Sequence, residues 1–68
     1  MDAATLEMVL TAYDETVQDA LAAGGGEAVA HAEGLTAASM LLAAVTGVED
    51  AAARAEVEAL DPKQRLAA

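Results

Sequence analysis

Apolar side chains between residues 3 and 23 recur at Leu6, Leu10, Tyr13, Val17 and Leu21, with Ala20 beside the last. At about 100° per residue, steps of three and four lay these along one side of a helix as a continuous seam. Val9 widens the seam on one side, while Glu7, Thr11, Asp14, Glu15, Gln18 and Asp19 fill the opposite, solvated arc. Met8 breaks the pattern by projecting among Glu15 and Asp19. A single exposed methionine is usually incidental, and its other reading is a contact point for a partner. Asp2 stands where a carboxylate caps the first turn and complements the positive end of the helix dipole.

Three glycines, Gly24 to Gly26, end this first element and let the chain reverse into a helical hairpin. Residues 27–46 carry the second. Gly34, followed at once by Leu35 and by Thr36 as a cap, is stop-then-start chemistry, and it predicts a short piece over 27–33 and a second piece from Thr36 to Thr46; the alternative is one continuous helix. In either case Leu35, Leu41, Leu42 and Val45 are expected to face inward. Gly47 closes the element, and Asp50 is placed to cap a third helix over 50–60 with a narrow stripe of Ala53, Val57 and Leu60. Arg54 stands four residues from both Asp50 and Glu58, which predicts two exposed ion pairs. Asp61-Pro62 stops that helix and starts a short turn over 62–67. The fold class is therefore all-α, a small bundle of three to four helices in one domain.

Composition makes that bundle marginal. Of the 38 apolar residues among 68, 20 are alanine, and there is no Phe, Trp or Ile. Burying a Leu or Val contributes about 1.5–3 kcal/mol, against about 1.5 kcal/mol to order each residue, so the sums nearly cancel for a chain this short. No cysteine can form a disulfide. Self-association as a homo-oligomer, with a dimer favoured, is the expected supplement. The seam of Leu6, Leu10, Tyr13, Val17 and Leu21 is its expected interface.

Charge narrows the partners. The chain carries 12 carboxylates against three Lys and Arg, for a net charge of −9, and no basic residue precedes Arg54. Such a surface repels phosphate backbones and anionic lipid and draws in basic proteins. The start Met1-Asp2 has no basic leader, and the run from Leu35 to Val48 is interrupted by Thr36, Ser39, Thr46 and Gly47, so neither a secretory signal nor a membrane span is expected. A cytoplasmic location follows as the default.

Candidate chemistry is sparse. The segment from Ala30 to Thr36 has the outline of a helix-turn-helix, which would make the chain a nucleic-acid regulator. Against it, Glu33 occupies a position such motifs make apolar, and the would-be recognition helix from Thr36 to Val45 has no Arg, Lys, Asn or Gln to read bases. The outline is better explained as a packing corner between helices. Glu27 and His31, four apart on one helix face, form half of a carboxylate–histidine metal pair, a weak signal that is more often a helix-stabilising contact. Ser39 is the only serine and His31 the only histidine, about 12 Å apart along a continuous helix, so no nucleophilic triad forms within one chain. The three-glycine run lacks the Lys and Ser/Thr of a phosphate loop. No cofactor and no enzymatic activity are expected.

Three accounts of the acidity remain. In the first, the chain is an interaction module, an inhibitor or adaptor, whose face of Met8, Asp14, Glu15 and Asp19 docks on a basic partner; its sharpest form is a nucleic-acid mimic. In the second, it is a homo-oligomeric scaffold whose carboxylates serve solubility. In the third, the charge reflects a high-salt habitat.

Overall fold

In the computed structural model, which describes residues 1–67, Asp2 caps helix α1 (Ala3–Ala22), its Oδ1 accepting from the Thr5 amide at 2.7 Å. The far end closes as the glycines predict. Gly24 adopts φ +92°, its N–H donates to Leu21 O, and Gly25 N–H donates to Ala20 O. This pair of bonds satisfies carbonyls that a helix end otherwise leaves bare. Helices α2 (Glu27–Thr46), α3 (Asp50–Leu60) and the short α4 (Pro62–Ala67) follow. The chain is all-α, and the boundaries fall within a residue of those the pattern predicts.

Helix α2 runs through Gly34 without a break, correcting the expected split. The glycine serves packing. A Cβ there would lie 2.7 Å from Tyr13 Cδ2 and 2.8 Å from Val17 Cγ2, so the ring of α1 rests directly on the backbone of α2. Glycine inside a helix costs about 1 kcal/mol, while a buried aromatic ring removes about 150–250 Å2 from water and contributes several times that. Tertiary packing therefore outweighs the local stop signal. The hydroxyls of Thr36, Ser39 and Thr46 do not interrupt the helix either, because each donates to the carbonyl four residues back, at 3.1, 2.6 and 2.7 Å.

The core is drawn from three helices: Val9 and Tyr13 from α1, Leu35, Ala38 and Leu42 from α2, Ala53 and Val57 from α3, with Val17, Ala43 and Leu60 packed at its margin. Its centre on α1 is rotated from the expected seam. Val9 is fully buried, whereas Leu6 and Leu10 are only half-buried and Leu21 is exposed. The cause is the close approach at Gly34, flanked by Ala30 and Ala38, which leaves room for Tyr13 and small neighbours and displaces the bulkier leucines to the edge. Tyr13 is thus buried within the monomer, and Val17, partly buried, packs at the margin of the same core. Val45, expected inside, is exposed, because α3 departs after Gly47 and nothing covers the last turn.

Two expectations about α3 also change. Glu49, not Asp50, is the N-cap, and it makes no side-chain cap bond; Asp50 is the first helical residue, where its charge still complements the dipole. Arg54 pairs with Glu58 at 3.0 Å but not with Asp50, and its Nη1 reaches Thr36 Oγ1 at 3.3 Å. Asp61 turns the chain at φ +50° and Pro62 is buried at the start of α4. The radius of gyration, 11.3 Å, matches the ~11 Å of a compact chain this long.

Candidate interaction surface on the first helix

No basic residue lies on α1, and its outer arc carries Glu7, Thr11 and Glu15 at steps of four, all exposed. These three stand in line as a ridge, with the two carboxylates separated by about 12 Å along the axis. An apolar groove runs on each side. One, of about 450 Å3, is floored by Ala3, Leu6, Leu10 and Leu66 and bordered by Asp14. The other, of about 490 Å3, is lined by Ala4, Met8, Ala12 and Leu41. Both share the ridge.

This geometry unites residues that the sequence separates by role. Leu6 and Leu10, expected to hold a second copy, line the same groove as Asp14 and Glu15, expected to meet a partner. Met8 lines the neighbouring groove with Glu15. Asp19 is exposed one turn further on and borders neither groove. Leu21 belongs elsewhere, in a small cleft of about 130 Å3 with Tyr13, His31 and Lys63. Sequence reasoning placed Glu7 and Thr11 on the solvated arc without giving them a part, although their spacing to Glu15 was available. Leu41 was expected only to face inward and Leu66 was given no part, because only the packing of α2 and α4 brings them beside α1.

The 130 Å3 cleft holds the molecule's one side-chain bond between aromatic rings. Tyr13 Oη lies 2.6 Å from His31 Nδ1, and the rings meet edge to face, 5.6 Å between centroids at 78°. Burial, with the charges of Asp61 and Asp14 as lesser causes, pushes the Tyr13 hydroxyl above its ordinary pKa and keeps it protonated. A protonated phenol can donate to Nδ1 or accept from it, and in either sense the bond occupies this nitrogen. One of the two ring nitrogens of the Glu27/His31 metal candidate is therefore engaged, while Glu27 is exposed at the same cleft. Among the described residues no three His, Cys, Asp or Glu side chains gather closely enough to hold a metal ion.

The helix-turn-helix outline has no turn, since Ala30 to Thr36 lies within continuous α2, with Ala30, Gly34 and Leu35 buried against its neighbours. Helix α2 is long and apolar enough to cross a membrane by length and composition, with a mean hydropathy of 1.4, although polar residues in it argued otherwise. A third of that stretch is buried within the chain, against α1 and α3. No protein-family model, curated protein or solved structure matches the chain.

Proposed function

We propose that the chain is an acidic helical interaction module that docks a cationic amphipathic segment of a partner protein along α1. The apolar row of the segment enters the groove of Leu6, Leu10 and Leu66, and its Lys or Arg side chains reach Glu7, Asp14 and Glu15. The observation that carries this reading is the pairing of an apolar groove with a border of carboxylates and no cation on the same helix. Carboxylates give such a site a fast, steered approach and selection against acidic partners, while the buried apolar row supplies most of the residence time. The grooves favour a protein segment over the mimicry of nucleic acid, because a phosphate-like array gains nothing from apolar troughs beside it.

A helical model peptide with alternating leucine and lysine faces, carrying a fluorophore, tests the proposal by anisotropy. Leu10→Asp is expected to weaken binding by about thirtyfold or more, as loss of a central anchor does. Reversal of Glu7, Asp14 and Glu15 to Lys together is expected to lower the association rate by about tenfold or more and to flatten its salt dependence. Binding that survives both changes would sink the reading.

A further inference from the structure

Leu66 is the one residue from outside α1 that lines both the 450 Å3 groove and the 130 Å3 cleft. Leu6 and Leu10 lie in the groove, and Tyr13, Val17 and Leu21 lie in the cleft. The apolar side of α1 therefore passes under α4, which crosses it near the middle. Little holds α4 there. A helix of six residues is too short to be stable in water by itself. Pro62 is buried, but Lys63, Gln64, Arg65 and Leu66 are all exposed, Leu66 by 45%. Arg65 Nε donates to Leu60 O at 2.8 Å, a bond back to α3 and not to α1. Among the described residues the ion pair of Arg54 and Glu58 is the only one, so none ties α4 to α1.

The chemistry of α4 is that of the segment proposed to dock. It holds two of the chain's three cations, Lys63 and Arg65, and Lys63 stands three residues from Leu66, on the same side of the helix. Lys63 shares the cleft with Asp14 and Glu27. We infer that α4 is an internal competitor, a displaceable strap whose Leu66 and Lys63 take the place of one apolar anchor and one cation of the partner's segment. This rests on the docking role proposed for α1 and adds its regulation. With the strap closed, a segment enters the groove only beside Leu66. With residues 63–67 unwound and Pro62 still seated, groove and cleft join into one trough from Leu6 to Leu21, about 22 Å long, which a cationic amphipathic helix of about four turns fills. Only the open fraction of the protein takes such a helix, so its apparent affinity is lowered by that fraction.

Two substitutions in the whole chain test the strap against a fluorescent leucine–lysine helix of four turns. Leu66→Ser removes the anchor, and Gln64→Gly weakens the helix at an exposed residue that lines neither the groove nor the cleft. Each is expected to tighten binding about threefold to fivefold. An unlabelled peptide without tyrosine is also expected to change the emission of Tyr13, the chain's one aromatic residue, because Tyr13 lies in the cleft that opens only when Leu66 leaves. Weaker binding by Leu66→Ser, with no gain from Gln64→Gly and a constant Tyr13 emission, makes Leu66 a fixed wall; it overturns the strap and leaves the docking role of α1 standing. No binding by the unmodified chain or by either variant overturns both.

Discussion

Gly34→Ala sets two known effects of opposite sign against each other at one atom. In an exposed helix the change stabilises by about 1 kcal/mol through propensity alone. Here the new Cβ would sit 2.7 Å from Tyr13 Cδ2, 2.8 Å from Val17 Cγ2 and 2.9 Å from Tyr13 Cε2, all inside the distance real Cβ contacts tolerate. The ring cannot simply swing aside about its Cα–Cβ bond without breaking the hydroxyl's 2.6 Å contact with His31. Either α1 and α2 separate by several tenths of an ångström or the ring leaves its rotamer. Overpacking at a contact this short costs about 2–3 kcal/mol, against the propensity gain of about 1 kcal/mol, so the net expectation is a loss of about 1–2 kcal/mol. For a domain of this size that lowers the melting temperature by roughly 5–15 °C. Urea unfolding followed by far-ultraviolet circular dichroism measures it, with Ala28→Gly as the baseline for exposed helix propensity. In a background carrying both Tyr13→Leu and Val17→Ala the same Gly34→Ala change should become neutral or stabilising, since both clashing side chains are then gone. A stabilisation of about 1 kcal/mol in the unmodified background would refute the close approach of α1 and α2.

Other consequences follow from single bonds. Tyr13→Phe removes the hydroxyl from His31 and is expected to destabilise by about 0.5–1.5 kcal/mol in urea titrations near neutral pH. The same variant tests the raised Tyr13 pKa: the folded state holds the proton more tightly than the unfolded chain, so stability declines as pH rises above the ordinary value of 10.0, and that part of the decline is absent in the Phe variant. For Asp2 the sign reverses. Its bonds to the Thr5 amide and side chain lower its pKa from 3.8, so the cap's contribution is present above that value and fades as pH falls through the lowered one. Asp2→Asn keeps a capping oxygen without the titration, and the difference in urea midpoint between the two proteins should narrow in acid. Ser39→Ala is expected to change stability by less than about 0.5 kcal/mol, because the Ser39 hydroxyl only shares the Leu35 carbonyl and alanine suits the buried helix site.

Local chemistry alone determined the elements. The three- and four-residue spacing of apolar positions, the Asp2 cap, the glycines after Ala23, and the Asp61-Pro62 stop each act within a few residues, and each appears in the fold where the chain places it. The charge asymmetry and the two carboxylates of the α1 ridge were equally legible, since they depend on composition and helical phase. Tertiary structure decided the rest. Whether Gly34 ends a helix or lets two helices touch depends on a ring 21 residues away in sequence, at Tyr13, and no local rule weighs that contact. That same contact rotates α1, taking Val9 into the core and leaving Leu6 and Leu10 at its edge as the floor of a groove with Leu66. Propensity and capping are sums over neighbours in the chain, while the choice of buried face is a competition among whole helices for the closest fit. In an alanine-rich chain with one aromatic residue, the closest fit lies where side chains are smallest, not where they are most apolar.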